Sequence, residues 1–283
     1  MKAFYSDHFV LPLPEGHRFP MAKYKMLRDS VEGLPNLELV EAPCATDSEL
    51  LLAHDPSYIQ DVLHGTLSEA QQKEIGFPWS PKMVERSRRS AGATIAACKA
   101  ALEEGISANL AGGTHHAYRN KGSGFCVFND AAIAARVLLK DARAKAGCIR
   151  KIGILDLDVH QGDGTAAILQ HDSAVITVSV HGEKNYPFAK EVSDLDIALA
   201  DGSTDSVYMQ ALKQALIYLS EQKIDFLIYL AGADPYYEDR LGRLQISQEG
   251  MALRDYKVLE FASTQGIAMA MAMAMAMAMA MAM

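Results

Sequence analysis

Several strand-like segments of this chain are apolar on both faces at once. KIGILDLD (151–158) and DFLIYLAGAD (225–234) are near-continuous hydrophobic runs rather than alternations, and AVITVSVHG (174–182) is a further strand. A strand of that kind is covered on both sides, as in a parallel sheet with helices above and below it. Segments of helical character lie between and before these runs, at 47–65 (interrupted at Pro56), 80–105, 129–147, around 163–171, 203–223 and 247–266. The segment at 80–105 has both end signals: Ser80 as cap, Pro81 in the first turn and Gly105 after the last residue. Further strands are read at 37–43 and 107–111. The alternation predicts an α/β fold: three layers, α/β/α, around a mainly parallel central sheet, with functional loops at the carboxyl ends of the strands.

Composition narrows the function classes. The chain has 283 residues, 49% of them hydrophobic, enough for one large core. Its 27 basic and 35 acidic residues give a net charge of −8, and nothing in that balance favours direct contact with nucleic acid. Cys44, Cys98, Cys126 and Cys148 form no CxxC pair and fit a reducing compartment better than a disulfide framework. The opening MKAFYSDHFV lacks the apolar run of a signal peptide. The expectation is a cytoplasmic protein with no membrane association.

Why does the strand at 151–158 lead into Asp156, Asp158 and His160? Residues two apart in an extended chain point the same way, so these groups share one side as the chain leaves the sheet. Two carboxylates and an imidazole so close need a cation or hydrogen bonds to compensate them. The following QGDG reads as a tight strand-to-helix turn, where α/β proteins place ligands. Two other polar clusters fall at strand ends: GGTHHAYRN after the strand at 107–111, and AGADPYYED, which places Asp234 just past an apolar run. Loops at one edge of a parallel sheet converge, so Asp158, His160 and Asp234 can meet around a catalytic Zn²⁺ or Fe²⁺. His115 and His116 can supply acid–base groups beside it, and Asp156 and Asp163 can each accept a ring N–H from one of them.

These residues also carry a resemblance. GGTHHAYRNKGSGFCVFND, ILDLDVHQGDGT and YLAGADPYYEDRLG resemble the zinc-dependent histone deacetylase family. PEGHRFPMAKY, HDPSYIQDVL and NYPFAKEVSDLDIAL are similar to its bacterial and class IV-like members, and the likeness runs over roughly residues 1–266. It implies an arginase/deacetylase-type fold in which Asp158, His160 and Asp234 ligate zinc. His116 would be the general base and then the acid for the leaving amine, with Asp163 behind it. His115, backed by Asp156, would give electrostatic support. Gly124 and Phe125 would line one wall of an acyl-lysine channel and Tyr186 the other. The backbone carbonyls of Asp156, Asp158 and His160, with Ser179 and Val180, would match a structural cation site, usually K⁺. The implied partner is an acyl-lysine peptide or protein, or an acylated polyamine-type small molecule.

The chain departs from that family at its last residues. Residues 1–266 read as one domain, and 267–283 as a low-complexity tail in which Ala-Met repeats from Ala268 to Met283. Family members continue here with an apolar strand and a glycine-rich loop bearing a tyrosine that donates a hydrogen bond to the substrate carbonyl. No Gly-Gly-Tyr triplet occurs in this sequence. Alanine and methionine favour a terminal helix, or the first few of them take the slot of that strand. The tail falls short of the roughly 20 residues of a membrane span. Two other readings stay open: a metal- or acyl-lysine-binding protein without turnover, and an arginase-like binuclear hydrolase. The second needs further aspartates in DxHxD and DxDxxD patterns, whereas Gln161, Gly162 and Asp163 follow His160 and GADPYYED supplies only Asp234 at the expected place.

Overall fold

A computed structural model describes residues 1–144 and 149–273. In chain order the elements are β1 (Lys2–Tyr5), α1 (Lys23–Val31), β2 (Glu38–Glu41), α2 (Asp47–Leu50), α3 (Pro56–His64), α4 (Glu69–Ile75), α5 (Pro81–Glu104) and β3 (Ile106–Asn109). There follow α6 (Asp130–Ala144), β4 (Ile152–Asp156), α7 (Asp163–Leu169), β5 (Val175–Gly182), β6 (Leu195–Leu199), α8 (Asp205–Gln222), β7 (Phe226–Leu230), α9 (Gln248–Gln265) and β8 (Ala268–Ala272). The eight strands form one sheet in the order β2-β1-β3-β8-β7-β4-β5-β6. Every pairing in it is parallel.

Two hydrophobic layers flank that sheet, as the doubly apolar runs require. On β7, Phe226, Ile228 and Leu230 pack with residues of α5 and α6, while Leu227 and Tyr229 pack with α8 and α9. On β4, Ile152 and Ile154 face the first layer and Leu155 the second. Each strand therefore feeds both cores through the two-residue alternation of its side chains. The result is a three-layer α/β/α fold. The Ser80 hydroxyl accepts from Met83 N at 3.1 Å and Pro81 opens α5, as its end signals predict. The helical pattern at 47–65 is two helices, because Asp55 and Pro56 start a new one. The pattern at 129–147 is helical through Ala144, and 145–147 lie outside the described residues, as does Cys148.

The start of the Ala-Met repeat lies at the centre of the sheet. β8 pairs with β3 on one side (Ala108↔Met271) and β7 on the other (Ile228↔Ala270). Strand alternation sends Ala270 and Ala272 into the layer of α5 and α6, and Met269, Met271 and Met273 toward α8 and α9. The small side chains suit the face where α5 presents its own alanines, Ala91, Ala93, Ala97 and Ala101. Two neighbouring strands decide the conformation here, against an intrinsic preference of both residue types for helix.

His54, between α2 and α3, is fully buried and joins the loops that carry function. Its Nδ1 donates to Tyr118 O at 2.9 Å, and its Nε2 accepts from Asn129 N at 2.9 Å. Both bonds need the neutral ring, and burial pushes its pKa down to about 4. In the unfolded chain an imidazole titrates near 6.5, so between the two values the unfolded state binds more protons. The stability contributed by neutral His54 is complete above the unfolded pKa and is lost as pH falls toward the folded one. Urea unfolding at pH 7 and pH 5 is expected to show His54→Gln losing about 2 kcal/mol less than the parent protein over that interval. Equal losses would contradict this assignment.

Candidate active site

The site is built at the carboxyl ends of β3, β4 and β7, which lie close together in the sheet because only β8 separates β3 from β7. β4 ends at Asp156, so Asp158 and His160 stand in the loop beyond the strand. The loop separates what strand alternation alone would keep together. Asp156 turns to His115, with Nδ1 donating to its Oδ2 at 2.6 Å. Asp158 and His160 turn to Asp234, which follows β7.

These three residues form the one cluster of possible metal ligands among the described residues, with one donor atom from each lying within 4.8 Å of the others. His160 Nδ1 faces Asp158 Oδ1 at 2.9 Å and Asp234 Oδ2 at 3.0 Å. Backbone amides orient both carboxylates: His160 N donates to Asp158 Oδ1 at 2.9 Å and Val159 N to Asp234 Oδ1 at 2.8 Å. Both carboxylates are almost wholly buried. Burial first, then the neighbouring charge of Asp158, pushes the Asp234 pKa up to about 6. Burial works against protonation of His160, yet its hydrogen bonds to the two carboxylates and their charge raise its pKa. Two buried acids and an imidazole that all favour a shared positive charge fit a divalent cation, and an Asp–His–Asp donor set suits zinc or ferrous iron.

The two histidines stand beside this cluster in opposite electrostatic states. Burial opposes a charge on His115, but Asp156 and Asp158 outweigh it and raise its pKa to about 9. Burial and the charge of His115 push His116 down to about 3, against the pull of Asp163. His116 Nδ1 donates to Asp163 Oδ1 at 2.6 Å. A carboxylate only accepts, so Nδ1 carries the proton and Nε2 of neutral His116 keeps its lone pair. A pair of like groups with their proton affinities pushed apart is the arrangement that acid–base chemistry uses.

A cavity of about 620 Å³ contains the cluster, both histidines, Gly124, Phe125 and Tyr186. Phe125 packs on the rings of Phe19 and Phe77 with centroids 5.3 Å away. Tyr186, in the same lining, meets His116 edge-on at 5.0 Å, and its hydroxyl is 2.5 Å from Ser123 Oγ. Gly124 has a left-handed φ of 53°, and a Cβ there would lie 2.7 Å from the His116 ring. Ser179 is paired with Asp156 in the β4–β5 register and Val180 follows it, so these residues border the loop of Asp158 and His160. The Ser179 hydroxyl shares a hydrogen bond with His181 Nδ1 at 2.9 Å. Gln161 faces away from the cluster, donating to Glu191 O and Asp196 Oδ1 at 2.8 and 2.7 Å.

Several supporting residues carry no local sequence signal. Asn129 and Asp130 both stand where a helix cap is ordinary, and Asn129 takes that role, accepting from Ala132 N at 3.0 Å. The buried Asp130 carboxylate instead accepts from Gly113 N, Thr114 N and Thr94 Oγ1, at 2.9, 2.8 and 2.6 Å, and so fixes the loop before His115. Arg254 of α9 is buried and donates to Gly232 O at 2.5 Å and Leu157 O at 3.3 Å, one carbonyl from the loop of Asp234 and one from the loop of Asp158 and His160. Tyr118 donates its hydroxyl to Asp163 Oδ2 at 3.0 Å, completing the support of His116.

Gly232 marks how closely those loops approach. A Cβ on it would lie 2.4 Å from Asp158 Cα, a backbone atom with no freedom to swing aside. Gly232→Ala is expected to displace Asp158 and weaken metal binding by about 10–100-fold, the scale seen when support for ligands is lost. A chelator-competition titration measures this, with circular dichroism as the control for folding. Unchanged affinity would contradict it.

Known proteins resemble this chain in sequence and in fold. The family model described as the histone deacetylase domain matches residues 17–274. An uncharacterized protein of Picosynechococcus sp. is 42% identical over 266 residues, covering 93% of this chain and 87% of that one. Histone deacetylase 2 of Arabidopsis thaliana is 32% identical over 82% of the chain, and a histone deacetylase-like amidohydrolase of Pseudomonas aeruginosa is 30% identical over 80%. The chain spans only 61% and 62% of the lengths of those two relatives. In structure, an HDAC homolog from Aquifex aeolicus matches with a TM-score of 0.81 at 22% identity, over 96% of this chain and 78% of that one. No helix among the described residues is long and apolar enough to cross a membrane.

Proposed function

The chain belongs to the histone deacetylase family, and we propose that it is a metal-dependent amidohydrolase that removes acetyl or longer acyl groups from lysine-like amines. One observation carries this reading: Asp158, His160 and Asp234 gather in the same cavity as two histidines that each donate to a buried aspartate. The relatives with deacetylase and amidohydrolase names support the reaction class. Zinc is the proposed ion, with ferrous iron the other that suits the donors, and a structural K⁺ is proposed beside Asp156, Asp158, His160, Ser179 and Val180. When bound, the divalent ion supplies Lewis acidity toward the amide carbonyl and the attacking water.

The remaining work falls to side chains. An amide is a poor electrophile and its amine a poor leaving group, so the reaction needs a proton taken from water and a proton given to nitrogen. Neutral His116, with Asp163 on Nδ1, takes the first at Nε2 and returns it to the departing amine. Cationic His115, held by Asp156, stabilises the negative charge that develops on the carbonyl oxygen. Phe125 and Tyr186 hold the aliphatic stem of the amine and keep water from it.

The test is release of acetate or the longer carboxylate from acetyl- and longer acyl-lysine peptides, leaving an unmodified lysine side chain, by protein loaded with Zn²⁺ or Fe²⁺. Turnover should vanish on chelation and return when the metal is restored. No release above the chelated sample would contradict the reading. A second reading, binding of metal and acyl-lysine without turnover, is favoured by one observation: Met273 and further Ala-Met repeats follow β8, with no Gly-Gly-Tyr triplet. A lost oxyanion donor slows such reactions about 10²–10³-fold. Tight hydroxamate binding without deacylation would select this second reading.

A further inference from the structure

The mouth of the cavity carries a charge opposite to that of the chain. The net charge of the chain is −8. Yet outside the ligand cluster the cavity is lined by five cations, Arg18, Lys23, Lys73, Lys184 and Arg243, and by only two carboxylates, Glu74 and Asp239. Both carboxylates are engaged. Glu74 accepts from Lys121 Nζ at 2.7 Å, and buried Asp239 accepts the backbone N–H groups of Leu241 and Gly242 at 2.8 and 3.1 Å. Two of the cations are also engaged: Lys23 stands 5.0 Å from the centroids of Phe19 and Tyr24, and Arg243 pairs with Asp201 at 3.3 Å. Arg18, Lys73 and Lys184 are exposed and make no ion pair among the described residues. Three cations without an ion pair among the described residues thus line one cavity in a protein with 35 acidic residues. Phe188, 86% exposed, adds an apolar surface to the same lining.

The direction of the substrate fixes what meets this rim. With the acyl carbonyl at the ligand cluster and the stem between Phe125 and Tyr186, the rest of the amine emerges among the cations. We propose that the rim selects by charge, taking peptides with acidic residues next to the acyl-lysine and rejecting cationic amines such as acylated polyamines. The inference rests on the amidohydrolase reading for the acyl-lysine itself, while the selection is a property of binding and is tested as such. Exposed charges act over a screening length of about 8–10 Å at ordinary salt, so the preference is large at low ionic strength and fades as salt rises.

The experiment measures binding of fluorescent acetyl-lysine peptides flanked by Glu and Asp, or by Lys and Arg, to the metal-loaded protein, with acetylspermidine as competitor. Acidic peptides are expected to bind about tenfold tighter than basic ones at low salt, and within about twofold at 1 M NaCl. In the double variant Lys73→Glu, Lys184→Glu the preference is expected to vanish or invert. Equal binding, no binding of the acidic peptide, or stronger binding of the basic peptide or of acetylspermidine would overturn the proposal. So would a preference indifferent to both salt and charge reversal. Turnover is read separately in the same samples. A protein that binds acidic peptides and hydrolyses none refutes the amidohydrolase and leaves the rim standing, whereas equal hydrolysis and equal binding of all peptides does the reverse.

Discussion

Replacing His160 with alanine is expected to abolish stoichiometric metal binding and, with it, amide hydrolysis. His160 Nδ1 lies within 3.0 Å of both buried carboxylates, and its imidazole is the only nitrogen donor in the cluster. Without it, Asp158 and Asp234 face each other as buried like charges, a situation that already pushes Asp234 up to about 6. The variant relieves that repulsion by binding a proton, and a protonated carboxyl is a poor metal ligand. Elemental analysis after dialysis should find one zinc per chain in the parent protein and much less than one in the variant. The fold should persist, because His160 stands in the loop beyond β4 and contributes nothing to either hydrophobic layer. Retention of a full equivalent of metal would show that other residues hold it.

His116→Ala is expected to lower kcat by about 10²–10⁴-fold, the contribution of a positioned acid–base group, while leaving metal content unchanged. The two variants therefore separate metal holding from proton transfer. Surroundings keep His116 neutral from about pH 3 upward, and a nearby dication pushes in the same direction. Its loss should consequently depress turnover across the range of about pH 6–9 rather than shift one limb of the profile. Equal kcat in parent and variant would remove His116 from the proposed chemistry.

How far the sequence discloses this arrangement depends on what each residue has to satisfy. β4 and β7 are legible because burial on both faces leaves them almost no polar residues, and β5 is legible from its β-branched residues although it also buries Thr177, Ser179 and His181. β6 reads Leu-Asp-Ile-Ala-Leu with alternating partial exposure at the sheet edge, and no apolar run announces it. β1 has four residues and gains its place only by pairing with β2 and β3. β8 is the extreme case: a strict Ala-Met alternation is compatible with helix or strand, and the gap between β3 and β7 decides.

The same distinction holds at the site. Asp158, His160 and Asp234 stand out because acids and an imidazole after apolar strands are costly without a partner. Asp130 and Arg254 do not stand out. One sits where a helix cap is ordinary, the other on a helix whose charged residues look solvated, and only the folded chain brings them under the loops. Gly232 likewise shows its constraint only when the loop after β7 comes to within a side chain's width of Asp158.

The central claim is that one divalent ion sits among Asp158, His160 and Asp234. Anomalous diffraction at the zinc edge, from crystals of zinc-loaded protein, tests it most directly. The account predicts a single strong peak per chain at bonding distance, about 2.0–2.2 Å, from His160 Nδ1 and from a carboxylate oxygen of each aspartate. A peak at other residues, or none in this cavity, would contradict it.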